Sequence, residues 1–317
     1  MKRATGMEMT YPWLGLYLPE DFYVAPQLAG KYHASRGKKI RILSFYVAWE
    51  KAQQGPDLAG IDRVTRSGFV PMITWEPWQT EKLPHTGQPA EQPEFSLSEI
   101  LNGRYENYIR RWALELTKIK GPVFFRPMHE MNGNWYPWCE KVNGNEPGEY
   151  IQAWRYIRSI FRKVQCNRLI WVWCPYAHSV PDEPEKEMGL FYPGNTEVDW
   201  VGLDGYNWGT TREWSSWQSF RTIFEKGYDN LTMLAPGKSF MIAEVGCAEA
   251  GGNKANWINS AFEELDERFP RVKTLVWFNV DKECDWRIES SQRSLVSFKK
   301  CMRKHSYQTS KAVQGVA

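Results

Sequence analysis

Hydrophobic residues fall along this chain in two alternating rhythms. Short runs rich in β-branched and aromatic residues recur at 14–18, 40–47, 69–75, 123–127, 169–173, 198–203, 240–243 and 274–278. Between them, apolar residues return every three or four positions. After Pro147, the residues Ile151, Trp154, Ile157, Ile160, Phe161 and Val164 mark one face of a helix. Pro147 suits the first turn, where a missing N–H costs nothing. A second helix is predicted over 105–120, stopped by Gly121. A third covers 255–268, with Ile258, Phe262 and Leu265 on one face, and ends before Pro270; a fourth runs from about 291 to 303. Several of the short runs are apolar throughout, as in parallel strands covered on both faces. Eight such strands alternating with helices predict an α/β fold, a single-domain (β/α)8 TIM barrel. Residues 13–303 would form the barrel, 1–12 an N-terminal extension and 304–317 a polar C-terminal tail. The alternative is an open doubly wound sheet, but no G-x-G-x-x-G or P-loop follows the first run. The irregular stretch 76–93 follows the third strand, which in a barrel places it on the catalytic face.

Composition narrows the function classes. Forty Lys+Arg against 37 Asp+Glu give a net charge of +3 over 317 residues. That balance argues against affinity built on phosphate neutralisation, so no nucleic-acid partner is expected. The mean hydropathy is −0.56 and no apolar run approaches the length of a membrane span, so no membrane partner is expected. A 42% hydrophobic and 15% aromatic composition excludes a disordered chain. Six cysteines, at 139, 166, 174, 247, 284 and 301, form no C-x-x-C pair. A chain of this length forms a core without disulfides, so they are expected mostly free, and the protein monomeric. The basic start lacks the apolar segment of a secretory signal. The expectation is a cytoplasmic protein, or a secreted one whose signal has been removed. The seventeen tryptophans stand out. Tryptophan is rarely fully buried and its indole N–H wants a partner, so some should sit at a wet surface and stack on a ligand.

Barrel enzymes carry their chemistry at the C-terminal ends of the strands. The fourth run leads into Arg126-Pro127-Met128-His129-Glu130-Met131-Asn132-Gly133-Asn134-Trp135, and the seventh into Glu244-Val245-Gly246. Strands four and seven lie on opposite sides of an eight-stranded ring, so Glu130 and Glu244 can face each other across the mouth. Two carboxylates flanking a gap suit glycosidic cleavage, in which one protonates the leaving oxygen and the other attacks the anomeric carbon. Their surroundings must differ, since one must hold a proton and the other stay charged. Trp75, Trp78, Trp135, Trp138, Trp208 and Trp277 fall at or beyond strand ends, where they could stack on sugar rings; Trp112 and Trp154 sit mid-helix at core spacing. His178, beyond the fifth strand, could touch substrate or make a loop hydrogen bond. His129-Glu130 resembles the start of H-E-x-x-H, but position 133 is Gly, so a zinc peptidase is excluded. No metal and no cofactor is expected.

The stretch 126–135 resembles the acid/base motif of glycoside hydrolase family 26. These are mainly endo-β-1,4-mannanases, with some mixed-linkage β-glucanases (lichenases) and β-1,3-xylanases. Trp171-Val172-Trp173, Asp204-Gly205-Tyr206-Asn207-Trp208-Gly209, Ala243-Glu244-Val245-Gly246 and Trp277-Phe278-Asn279 extend the resemblance over roughly 13–300. It implies a retaining double displacement on a β-linked polysaccharide, without cofactor. Glu130 would be the acid/base and Glu244 the nucleophile. His129 and Trp135 would line the subsite beside the cleaved bond, with Asn132 in the same stretch. Tyr206 would hydrogen-bond the nucleophile, and Trp277 would form the floor under the sugar at subsite −1. One departure concerns specificity. Where typical mannanases continue with Phe-Trp-Trp, this chain has Trp135-Tyr136-Pro137-Trp138-Cys139, which looks more like the lichenase branch. Mannan, mixed-linkage glucan, β-1,3-xylan and an exopolysaccharide stay open as substrates. So does a barrel that binds carbohydrate without cleaving it.

Overall fold

A computed structural model describes residues 13–32, 40–49, 55–80, 91–184 and 187–313, with side chains of the last helix as far as Arg303. The N-terminal extension 1–12 and the centre of the stretch after the third strand, 81–90, lie outside the described residues. Eight strands follow one another around a closed barrel: β1 (Trp13–Tyr17), β2 (Ile40–Ala48), β3 (Val70–Glu76), β4 (Val123–Pro127), β5 (Leu169–Trp173), β6 (Trp200–Asn207), β7 (Ser239–Cys247) and β8 (Val272–Phe278). Each is parallel to both neighbours. Each of the eight apolar runs became a strand. β6 and β7 extend past their apolar runs because their polar ends pair with each other, from Asp204 opposite Glu244 to Asn207 opposite Cys247.

The helices wrap the outside: α1 (Ala25–Ala29), α2 (Leu58–Arg66), α3 (Leu97–Leu101), α4 (Glu106–Leu116), α5 (Glu149–Lys163), α6 (Phe220–Leu234), α7 (Lys254–Glu267) and α8 (Gln292–Val313). Side-chain caps start several of them. Asp57 accepts from the Gly60 N–H, Ser219 from Thr222 and Asn253 from Asn256, each satisfying a donor that the first turn leaves unpaired. α8 continues to Val313, so residues 304–313, read as tail from the sequence, extend the helix instead. Among the described residues no helix is long and apolar enough to cross a membrane. None of the six cysteines is joined in a disulfide.

Strand alternation divides each sheet residue between two cores. Inside the barrel, Ile42, Met72, Phe124, Val172, Met241 and Val276 form an apolar lower layer. Gly15 keeps this layer closed: a Cβ there would lie 2.9 Å from Ile42 Cβ and from Val276 Cγ2. Between barrel and helices lies the larger core, and it takes many of the tryptophans. Trp75 is fully buried there, with its ring 4.5 Å from Trp49, 5.1 Å from Trp112 and 5.3 Å from Phe125. Trp277 is likewise buried, against Trp257 and Phe298, and its indole donates to the Trp286 carbonyl at 2.8 Å. Both were expected at the mouth. Both face the helices instead, because they occupy outward positions. Their inward neighbours, Glu76 and Phe278, reach the mouth in their place.

β7 breaks the alternation at one point. Leu203 and Asp204, consecutive in β6, face Ile242 and Glu244, so Ala243 is an extra residue in β7. The pairing with β8 shifts over the same segment. Met241 and Ala243 both point into the lower layer. Strict alternation would then turn Glu244 outward, and the bulge turns it into the mouth.

The outward placement of Trp75 carries a stability consequence. Trp75→Ala is expected to destabilise the fold by about 3–5 kcal/mol, since the hole would be lined by rings that cannot collapse into it. Urea unfolding measures this, and a loss below about 1 kcal/mol would contradict the placement.

Candidate active site

The mouth is organised around a buried guanidinium. Arg126, at the inward end of β4, is fully buried. Its Nη1 donates to both oxygens of Asp204 on β6, at 2.9 and 2.7 Å. Its Nε and Nη2 donate to the Thr74 hydroxyl on β3, at 3.0 and 2.8 Å. Nη2 also donates to Glu244 Oε1 at 2.5 Å and to the Tyr46 hydroxyl on β2 at 3.3 Å. A buried carboxylate is costly unless paired and hydrogen-bonded. Here one cation serves two of them, drawn from adjacent strands.

Glu244 is met by donors on both oxygens. Tyr46 donates to Oε1 at 2.5 Å, beside Arg126, and the Tyr206 hydroxyl donates to Oε2. A group that only accepts hydrogen bonds matches this set. The three donors also fix its orientation, because the two oxygens are held from different strands.

Glu130 has a different environment. Its indole partner Trp135 donates to Oε2 at 2.7 Å. Burial pushes its pKa well above the usual carboxylate range, and the nearby charges of Glu244 and Asp204 push the same way. The backbone that carries it is unusual. Met128 and Glu130 have φ of 48° and 54°, in the left-handed region that non-glycine residues seldom enter. The surroundings hold this shape. The Met128 N–H donates to the Trp75 carbonyl at 3.1 Å and the Glu130 N–H to the Cys174 carbonyl at 2.8 Å. The Met128 carbonyl accepts from Tyr150, and the His129 carbonyl from the Trp138 indole at 2.7 Å.

A fourth carboxylate closes the site. Glu76 ends β3, is 3% exposed, and accepts from the Trp78 indole at 3.2 Å. Burial raises its pKa to about 8. His129 lies between the acids, with Nδ1 3.9 Å from Glu76 Oε1 and Nε2 3.7 Å from Glu244 Oε1. Both separations exceed a hydrogen bond. Burial, reinforced by the Arg126 charge, lowers the His129 pKa well below its usual value and so keeps the ring neutral. His129, Asp204 and Glu244 bring ligand-type atoms within 4.8 Å of one another. Arg126 already occupies that space with its own charge, which leaves no room for a metal ion between Asp204 and Glu244.

The expected site residues therefore separate. Glu130, Glu244, His129, Trp135 and Tyr206 come together. Trp208 is half-buried and joins the group through Trp286, whose ring lies 4.7 Å from Trp208 and 4.9 Å from Tyr206. Trp78 and Trp138 are buried supports rather than open stacking faces: Trp78 holds Glu76, and Trp138 lies parallel beneath Tyr136 at 4.3 Å. Asn132, expected near substrate, is spent on the fold. Its amide donates to the Tyr176 carbonyl and accepts from the Tyr176 N–H, tying the loop after β4 to the loop after β5. Burial lowers the His178 pKa; the charges it meets there are those of Lys226, acting the same way, and Asp182, acting against it, not those of Glu130 or Glu244. Trp75 and Trp277 face the helices, as described above. Glu76, Tyr46, Tyr136 and Asp204 were not singled out. Inward parity at the strand end would have found Glu76 and Tyr46; nothing local marks Tyr136.

The family model described as Glycosyl hydrolase family 26 matches residues 78–309. Endoglucanase H of Acetivibrio thermocellus is 36% identical over 276 residues, which is 84% of this chain and 28% of that protein. The mannan endo-1,4-beta-mannosidase of Bacillus subtilis is 30% identical over 229 residues, 63% of this chain and 57% of that one. The chain thus spans from under a third to somewhat over half the length of these curated relatives. Among solved structures, the GH26 domain of an endo-beta-mannanase/endo-beta-glucanase from Prevotella bryantii aligns with a TM-score of 0.64 at 17% identity, covering 92% of this chain and 88% of that one. Bacillus subtilis mannanase man26 aligns at 0.60 and 21% identity, covering 91% and 83%. Likenesses at these identities bear on the barrel fold alone.

Two measurements probe the electrostatics of the mouth. Arg126→Met would leave Asp204 and Glu244 buried without their cation. It is expected to cost about 3–5 kcal/mol in urea unfolding at neutral pH; a loss within 1 kcal/mol would sink the bridging role. Glu76 gives a pH signature. Its folded pKa of about 8 lies above the usual 4.5, so the folded protein keeps a proton that the unfolded chain releases. That contribution is complete below about pH 4.5 and fades as pH rises toward 8. Glu76→Gln cannot ionise and escapes the loss. The Tm of the variant minus that of the parent should therefore climb between pH 5 and 8; a flat difference would show that Glu76 titrates normally.

Proposed function

Because the chain belongs to glycosyl hydrolase family 26, we propose that it is a retaining endo-β-glycanase that cuts internal β-1,4 bonds of a polysaccharide. The observation that carries this reading is the contrast between two carboxylates. Glu244 is clamped by Arg126, Tyr46 and Tyr206, whereas Glu130 meets an indole and has its pKa raised by burial. In the first step Glu130 gives its proton to the glycosidic oxygen as Glu244 attacks the anomeric carbon. The glycosidic C–O bond breaks and an ester to Glu244 forms. The ester carries no charge, so one of the influences that raised the Glu130 pKa is gone. Glu130 is then suited to take a proton from the water that attacks the same carbon and frees Glu244.

The substrate we favour is mixed-linkage β-1,3-1,4-glucan. Endoglucanase H matches more of this chain, at higher identity, than the Bacillus mannosidase does. The loop Trp135-Tyr136-Pro137-Trp138-Cys139 also departs from the mannanase pattern at the face nearest Glu130. β-Mannan is the second reading, favoured by the mannosidase relative. The two sugars differ at the 2-hydroxyl, and His129, next to Glu244, is the side chain we assign to meet it.

Reducing-sugar release on lichenan, barley β-glucan, galactomannan, glucomannan, β-1,3-xylan and carboxymethyl-cellulose tests the reading. Glu244→Ala should abolish release. Glu130→Ala should slow it by about 10²–10⁴-fold and spare substrates with activated leaving groups. Proton NMR of the first product should show the β-anomer. Near-parental activity in Glu244→Ala, or an α-anomer first, would overturn the assignment.

A further inference from the structure

The loop after β6 carries an aromatic side chain that the mechanism does not use. Trp214 is 71% exposed, the most exposed aromatic ring among the described residues. A lone exposed apolar side chain is ordinary on a protein surface and points to nothing by itself. Two further observations set this one apart.

The first is that the loop under it is fastened. Asn207 Oδ1 accepts from the N–H groups of Gly209 and Gln218, at 3.1 and 3.0 Å, closing the loop at its base. Gly209 has φ of +54° and lies against the Ala250 carbonyl, a space that admits no side chain. The Thr210 N–H donates to that same carbonyl at 3.2 Å. Ser215, next to Trp214, donates to the Gly209 carbonyl at 2.8 Å. Arg212 reaches across to the Glu283 carbonyl at 2.7 Å, with its guanidinium 5.5 Å from the centre of the Trp208 ring. An exposed ring is thus held on a rigid base, so little conformational freedom is left to lose when something stacks on it.

The second observation is continuity. Trp214 lies edge-to-face with Trp208, ring centres 5.3 Å apart. Trp208 meets Trp286 at 4.7 Å, Trp286 meets Tyr206 at 4.9 Å, and Tyr206 donates to Glu244. An unbroken row of rings leads from the candidate nucleophile to the rim, in steps comparable to the width of a pyranose ring. The residues flanking Trp214 are polar (Arg212, Glu213, Ser215, Ser216), which suits a hydroxylated ligand with apolar C–H faces better than an apolar protein surface.

We propose that Trp214, backed by Trp208, forms a remote subsite that binds a sugar ring of a β-linked polysaccharide more than one residue from the cleaved bond. This rests on the endo-β-glycanase reading for its choice of ligand. The subsite acts only on chains long enough to reach it, and it holds them without taking part in the chemistry.

The test compares Trp214→Ala and Trp214→Phe with the parent on the polysaccharide it cleaves best and on the shortest oligosaccharide of the same glycan that it cleaves. Trp214→Ala should lower kcat/KM on the polymer about three- to tenfold, through KM, and leave the short substrate unchanged. Trp214→Phe should recover most of the loss. Equal loss on both substrates, or no loss on either, would overturn the proposal. Affinity electrophoresis in the Glu244→Ala background, with barley β-glucan, lichenan or galactomannan in the gel, separates this from the catalytic reading. Retardation that disappears with Trp214→Ala supports the subsite even if the parent cleaves none of these glycans. Retardation by none of them, or undiminished by the substitution, overturns it.

Discussion

The arrangement of the mouth depends on one buried guanidinium. Arg126 ties its own strand to β2, β3, β6 and β7 through Tyr46, Thr74, Asp204 and Glu244. Pairing stabilises little on balance when both charges must leave water. The value of the arrangement is geometric. A planar fork with fixed N–H directions cannot satisfy Asp204, Thr74 and Glu244 together unless the strands hold a definite stagger. The bulge at Ala243–Glu244 belongs to the same constraint. It delivers the Glu244 carboxylate to a donor that already waits on β4.

The stretch 128–130 shows the reverse relation, in which packing pays for local strain. Left-handed backbone at Met128 and Glu130 costs of order 1–3 kcal/mol each and persists only where the surroundings leave no alternative. Those surroundings are buried aromatic residues. Tyr150 and Trp138 take up the carbonyls of Met128 and His129, and the core around Trp75 anchors the strand below. The tryptophans that never face the cleft therefore still shape it. They make the outer core stiff enough to hold Glu130 in a conformation that its own backbone disfavours.

This division was only half visible in the sequence. Eight apolar runs separated by helical periods were enough to place eight strands and to put Glu130 and Glu244 at the ends of opposite ones. The orientation of single side chains was less legible, because one residue of register reverses it. Trp75 and Trp277 stand at strand ends in the sequence, yet their parity sends them outward and sends Glu76 and Phe278 in. Glu244 illustrates the converse: its inward orientation depends on a bulge that only the pairing with β6 and β8 reveals. Asn132 sits in the same motif as Glu130 but folds back onto Tyr176, a contact between two loops that share no local signal.

The carboxylates of the mouth differ in the donors they meet. Asp204 and Glu244 share the guanidinium. Glu130 and Glu76 each meet an indole N–H, from Trp135 and Trp78, and both have their pKa raised by burial. An indole donor carries no net charge, so it orients a carboxyl and favours its ionised form less than a guanidinium would, and burial prevails. The same residue type, in one barrel, thereby meets two different electrostatic surroundings. Exchanging the donors would reverse the balance: a cation beside Glu130 would favour its ionised form, and an indole in place of Arg126 would leave Glu244 buried without its counter-charge. The tryptophans thus do more than offer stacking faces, since two of them orient two acids whose pKa values burial raises.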